Sequence, residues 1–196
     1  DNNAKANESD TKWKMGVASW SFHKFPFAEA LRKADSCDLK YMEISAGFEM
    51  GRDFNDTAFV LLSPEGIRKA EKLMNEKGIK MISTYADGGT VIEWKRNFEF
   101  AKRLGLLYIT GEPSITLLAS IDSLAALYHI PVALHNHWQG VSQYWSADTV
   151  LSITNRYARI KACADIGHWV RSGLDPVECL RKLKGKILGV HLKDVS

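Results

Sequence analysis

One pattern repeats along this chain and limits the folds open to it: a short apolar run with strand character, then a longer run with helix character, many times over. Strand-like runs fall at 14–19, 39–45, 79–85, 106–110, 130–135, 159–165 and 186–194. Helix-like runs follow the first six, at 27–37, 63–78, 92–105, 113–129, 146–156 and 175–185. The local punctuation agrees. Ser63 precedes Pro64 and Asp175 precedes Pro176, each pair being a cap followed by a proline at the first helical position, and Gly78 stands where a helix should stop. Strands that alternate with helices of this length imply a parallel sheet joined by right-handed crossovers. Runs such as IPVAL and ILGVHL are continuously apolar, as a strand covered on both faces must be.

Two architectures satisfy that pattern, an open doubly wound sheet and a (β/α)8 barrel. The open nucleotide-binding sheet calls for a glycine-rich phosphate turn after the first strand. This chain has WSFHKFPF there and no GxGxxG. The barrel calls for polar groups at the carboxyl ends of many strands. The sequence supplies Glu43, Glu112, His135 with His137, Asp165 with His168, and His191 with Lys193 and Asp194. The barrel is therefore expected, with seven strands visible and an eighth unit missing. Residues 1–12 read as a disordered polar leader and 13–196 as one barrel domain that stops short on its C-terminal side. A barrel lacking its eighth unit leaves the edges of its first and seventh strands open, so homo-oligomerisation is an expectation.

Composition narrows the function classes. A net charge of +3 over 196 residues, with no basic run, gives nucleic-acid binding no support. The apolar runs are too short to span a membrane. The three cysteines, Cys37, Cys163 and Cys179, form no CxxC pair, and a disulfide framework is not expected. The leader is compatible with a cytoplasmic or an exported protein.

Four of the 6 histidines sit at the ends of strand-like runs. In a parallel barrel those ends meet over one pocket. His135, Asp165 and His191 supply two imidazoles and a carboxylate, a donor set suited to Mn, Zn, Co or Fe. Glu112, in TGEP, is a candidate for a further ligand or a catalytic group. Singly, each residue has a plain structural reading: a histidine bonded at a strand end, or an aspartate capping the next helix. Their recurrence on three successive strands favours a site. Trp20, Phe22, Phe25, Phe27, Trp94, Trp138, Trp145 and Trp169 fall near the loops over that pocket. Such residues suit the apolar faces of a sugar or simply pack over the barrel top. No basic or glycine-rich phosphate cradle is visible, which favours an unphosphorylated sugar.

The set GVASWSF, YMEIS, ITGEPS, ALHNHW, ACADIGHWVRSGLDP and GVHLKD resembles the xylose-isomerase-like TIM-barrel superfamily, and within it the sugar phosphate isomerase/epimerase group related to apurinic endonucleases and inosose dehydratases. The resemblance covers residues 13 to 196. It implies a divalent-metal site (Mn, Zn, Co or Fe, with Mg a further option). Asp165 matches the sixth-strand ligand and His191 the seventh-strand ligand. His168 matches a substrate-contacting histidine, and His135 stands where the fifth strand usually carries a glutamate. A second family glutamate would fall at Val141, and the eighth-strand glutamate is not in this sequence. The remaining acid–base candidates are Glu112, His137, His168 and Lys193. Trp20, Glu43, Trp138 and Trp169 are expected against the substrate. The implied activity is metal-dependent isomerisation or epimerisation of a ketose or keto-sugar through an enediolate. A keto-sugar lyase or dehydratase is the alternative, and a carbohydrate-binding barrel without turnover is a third reading.

Overall fold

The computed structural model describes residues 13–195; the segment read above as a leader lies outside the described residues. Seven strands form one parallel sheet in sequence order: β1 (Gly16–Ala18), β2 (Tyr41–Ser45), β3 (Lys80–Ala86), β4 (Tyr108–Gly111), β5 (Val132–His135), β6 (Ile160–Asp165) and β7 (Ile187–His191). Every neighbouring pair is parallel. Helices follow the strands: α1 (Phe27–Ser36), α2 (Pro64–Glu76), α3 (Val91–Arg103), α4 (Leu118–Tyr128), α5 (Ala147–Arg156), then α6 (Ile166–Arg171) and α7 (Pro176–Lys182). The sheet curls, because Glu43 of β2 meets His191 of β7 across it. Among the described residues β1 pairs only with β2 and β7 only with β6, so the barrel wall is open between them.

The elements form for the local reasons the sequence displays. The Ser63 hydroxyl accepts from the Gly66 N–H ahead of α2, and Asp175 accepts from Val177 and Glu178 ahead of α7. Thr90 and Glu93 form a reciprocal capping box at α3, which the sequence reading did not single out. Gly78 takes a φ of +63°, a left-handed conformation that side chains disfavour, and the chain turns there into β3. Ile67, Ala70 and Met74 bury one stripe of α2, and Trp94, Phe98 and Ala101 one stripe of α3.

Two apolar clusters lie between the sheet and its helices. One gathers Phe27, Leu31, Met42, Ile44, Phe59, Ile67 and Ile79. The other gathers Trp94, Phe98, Ile109, Ile121, Val132, Ile160 and Trp169. Both use the outward positions of the strands. The alternate positions face inward, and those are polar: Glu43, Ser83, Tyr85, Thr110, His135, Asp165 and His191 meet one another inside the curl.

Three local differences from the sequence reading stand out. The first strand is shorter than 14–19, because Ser19–Phe22 winds into a single 3-10 turn. The run 113–129 splits into a 3-10 turn at Ile115–Leu117 and then α4. The six-residue α6 follows β6 directly, where no helix was expected, and it redirects the side chains of the DIGHWVR stretch.

Candidate functional site

The site is built around one carboxylate. Asp165 ends β6 with its side chain fully buried. Its two oxygens do different jobs. Oδ1 accepts from the His168 N–H at 3.1 Å and so caps α6. Oδ2 faces the interior, 2.6 Å from Lys193 Nζ, 3.2 Å from His135 Nε2, 3.6 Å from His168 Nε2 and 3.8 Å from His191 Nδ1. The plain reading of this aspartate as a helix cap and its reading as a site residue both hold, one on each oxygen.

The buried Asn136, between the two histidines of HNH, fixes the backbone of that carboxylate. Its Nδ2 donates to Asp165 O at 2.9 Å and its Oδ1 accepts from Asp165 N at 2.8 Å. The sequence reading missed it, although alternation along the strand turns residue 136 away from its histidine neighbours, toward β6. Asn136→Ala removes the partner of two buried backbone groups. We expect a loss of about 1–3 kcal/mol for each group left unsatisfied, read from urea unfolding. An unchanged midpoint would show that Asp165 is held by other means.

Glu112, just past β4, gathers the second half of the cluster. Its Oε1 lies 3.1 Å from His135 Nδ1, accepts from Tyr85 Oη at 3.0 Å and contacts His137 Nδ1. Glu43 of β2 is 8% exposed and fully partnered: it accepts from Ser83 Oγ at 2.8 Å and Thr110 Oγ1 at 2.6 Å, and its Oε1 lies 3.1 Å from His191 Nε2. The sequence pointed to Glu43 as a substrate contact; its observed contacts are protein side chains. Ser83, Tyr85 and Thr110 carried no sequence signal beyond their inward strand positions.

The electrostatics follow from these contacts. Burial alone would raise the Asp165 carboxyl, but His135 and Lys193 hold it well below the ordinary range. Burial likewise opposes charge on Glu112, and His135, His137 and Ser142 outweigh it. Glu43 is also held down against its burial, chiefly by His191 with Thr110 and Ser83. Burial pushes His168 down to about 4, against the pull of Asp165 and helped by Lys193. Burial opposes charge on His191 as well, yet the Cys163 sulfur and the Glu43 carboxylate raise that ring to about 11. The Cys163 thiol is itself pushed up by burial, and a neutral thiol holds no cation in place, so Glu43 is the physical cause of the His191 shift.

Lys193 Nζ bridges Asp165 and His168, lying 2.7 Å from His168 Nε2. Gly167 makes room for this approach, since a Cβ there would stand 2.7 Å from Lys193 Cβ. Trp138 lines the same corner, its ring centroid 5.1 Å from that of His168, with the Arg171 guanidinium over the indole, 4.7 Å from its centroid. Other aromatics of the sequence reading go elsewhere. Trp169 is fully buried in the core beneath α6 and is corrected from substrate contact to core residue, because the helix turns its indole away from the strand ends. Trp94 and Phe27 are likewise core residues. Trp20 is 70% exposed and stacks on His23, apart from the histidine cluster. An open cleft beside α3, lined by Val60, Leu61, Arg96, Asn97 and Arg103, touches the strand ends only at Asp87, and none of the clustered histidines lines it.

The donor set fits a divalent cation. Imidazole nitrogens and carboxylate oxygens close enough to share an ion form two adjoining groups, His135–Asp165–His168 and Glu112–His135–His137. His191, expected as a ligand, lies with its Nδ1 3.8 Å from Asp165 Oδ2, beside these two groups.

A curled parallel α/β sheet with titratable side chains gathered at its strand ends defines a TIM-type barrel wall carrying one site. No family model matches the chain. It is 35% identical over 79 residues to an inosose dehydratase of Clostridium botulinum, a match covering 40% of this chain and 26% of that enzyme. The second such enzyme is matched over 31% of its length, so the chain spans only about a quarter to a third of the curated relatives it matches. Among solved structures, an uncharacterized protein from Parabacteroides distasonis is 35% identical with a TM-score of 0.79, the match covering 93% of this chain and 75% of that one. A xylose isomerase-like TIM-barrel protein from Mycobacterium smegmatis, solved with magnesium, has a TM-score of 0.69 at 12% identity, covering 93% and 75%. The IolI protein, solved with a zinc atom, has a TM-score of 0.73 at 16% identity, covering 91% and 72%. These likenesses show the fold of the chain, that of xylose isomerase-like TIM-barrel proteins.

Among the described residues no helix is long and apolar enough to cross a membrane.

Proposed function

We propose that this chain serves a metal-dependent sugar isomerase or epimerase that enolises a ketose or keto-sugar. The observation that carries the reading is the convergence of His135, His168, His191 and Lys193 on Asp165 Oδ2. His135, Asp165 and His191 would hold the cation, with Mn, Zn, Co or Fe favoured by the mixed N and O donors and Mg a further option. When bound, the cation would polarise a carbonyl and its neighbouring hydroxyl, which makes the adjacent C–H acidic.

The chain's own groups then handle the protons. His137 is one-third exposed and backed by Glu112, so it serves as the base that reaches a bound molecule, and Glu112 holds the ring's Nδ1 side. His168, kept neutral by burial, accepts from Lys193 at Nε2. Lys193 is partly exposed and can pass a proton to a substrate oxygen while His168 and Asp165 orient its Nζ. Trp138 offers an aromatic face beside these groups for the apolar side of a sugar ring.

A second reading, keto-sugar dehydratase, is favoured by one observation: His137 and His168 lie side by side, ring centroids 4.7 Å apart. Groups on one face suit loss of a proton and a hydroxyl from the same side of a sugar better than exchange between opposite faces. The similarity to inosose dehydratases supports it.

The test is incubation of zinc- or manganese-loaded protein with 2-keto and 3-keto sugars in D2O. Deuterium should enter the carbon beside the carbonyl, and the His137→Gln variant should slow this by about 100-fold or more. A product of unchanged composition marks an isomerase, and one lighter by a water marks a dehydratase. No exchange with any keto-sugar would sink the enzymatic reading and leave the binding barrel.

A further inference from the structure

Two buried carboxylates on early strands each stand behind an imidazole from a later strand. Glu43 of β2 faces His191 Nε2 at 3.1 Å, and Glu112 after β4 faces His135 Nδ1 at 3.1 Å. Every one of these carboxylates can only accept a hydrogen bond, so a cation seated between the rings and Asp165 would take the nitrogen that faces Asp165 and leave each ring's N–H to the carboxylate behind it. The nitrogen on the far side from that carboxylate is Nδ1 on His191 and Nε2 on His135. Both of these point to the same atom, Asp165 Oδ2, at 3.8 and 3.2 Å. The two rings thus use opposite nitrogens, and the difference is set by where their carboxylates stand.

Glu43 is itself held rigidly. Ser83 and Thr110 donate to its Oε2, which leaves Oε1 aimed at His191. Tyr85 donates to Oε1 of Glu112, the same oxygen that faces His135 Nδ1. Neither carboxylate is among the groups around Asp165 Oδ2, so they act through the histidines.

We propose that Glu43 and Glu112 are positioning residues that fix which nitrogen of His191 and of His135 is presented to a cation at Asp165. This rests on the metal-dependent reading above. A partner of this kind sets the ring's tautomer and orientation and makes its free nitrogen a better donor, and its loss costs roughly 10- to 100-fold in metal affinity.

The experiment uses the full chain labelled with 15N-histidine and titrated with zinc. The wild type should show two slowly exchanging ring N–H signals, Nε2–H of His191 and Nδ1–H of His135, assigned by single histidine substitutions. Glu43→Gln should weaken zinc binding roughly 10- to 100-fold and disturb the His191 signal alone; Glu112→Gln should do the same for His135. Glu43→Asp, which keeps the charge, should recover part of the affinity. Absence of protected ring N–H signals in the wild type would overturn the proposal without any variant having to fold. So would Gln variants that bind zinc as the wild type does, which would leave the metal reading standing. A wild type that binds neither zinc nor manganese would overturn the metal reading itself, and the ligand-positioning role with it.

Discussion

Asp165→Ala is expected to abolish divalent-metal binding and any keto-sugar turnover, the largest functional effect of a single substitution in this chain. Four side chains converge on its Oδ2, and no other carboxylate oxygen in the cluster has both His135 Nε2 and Lys193 Nζ beside it. Losing a group behind a ligand costs roughly 10- to 100-fold in affinity, and losing the charged ligand itself should exceed that range. The variant also loses the cap of α6, at about 1 kcal/mol. The stability loss should remain small, because Lys193, with a side chain 41% exposed, can turn its ammonium to water. Asp165→Asn separates the two jobs: an amide oxygen can still cap α6, while the negative charge facing the interior is gone. Metal content after dialysis, measured beside thermal unfolding, checks both. Stoichiometric metal in a folded Asp165→Ala protein would remove Asp165 from the proposed ligand set.

Trp169→Ala is expected to give the largest loss of stability. The indole is fully buried in the cluster under β5, β6 and α6, and emptying such a site costs about 3–5 kcal/mol. For a chain of this size that corresponds to a fall in Tm of roughly 6–20 °C. Trp169→Phe should cost less than about 1.5 kcal/mol, since Nε1 has no hydrogen-bond partner among the described residues and its removal breaks nothing. Thermal unfolding of the two variants decides the matter. A mild Trp169→Ala coupled with weakened sugar binding would restore the substrate-facing role read from the sequence.

These two residues, four apart in one stretch, show how far local sequence reaches. Asp165 ends an apolar strand, and its place at a barrel's carboxyl end follows from that alone. Trp169 looked like part of an aromatic wall because it lies near the same strand end. Its direction depends on α6, a helix of only six residues, too short for apolar periodicity to reveal. The DIGH turn places His168 against the cluster and the very next side chain in the core.

Asn136 and Glu43 mark the same boundary from the other side. Glu43 is a polar residue within an apolar strand and Asn136 directly follows one, and one side of the barrel wall is legible from that fact. Which partner each takes is not, since Glu43 meets His191 only because the sheet curls far enough to bring β2 opposite β7.

The alternation of strand and helix, the caps that begin α2 and α7, the parallel order of the sheet, and the row of histidines and carboxylates at its strand ends are all legible in the chain. Those depend on hydrophobic periodicity and on contacts within a few residues, which a chain carries in its local pattern. Folding is what divides the oxygens of Asp165 between a helix cap and the cluster, sets Glu43 and Glu112 behind different nitrogens of two histidines, and puts Trp169 in the core. Those depend on the curl of the sheet and the direction of one short helix, which bring together side chains distant in sequence and turn adjacent ones apart.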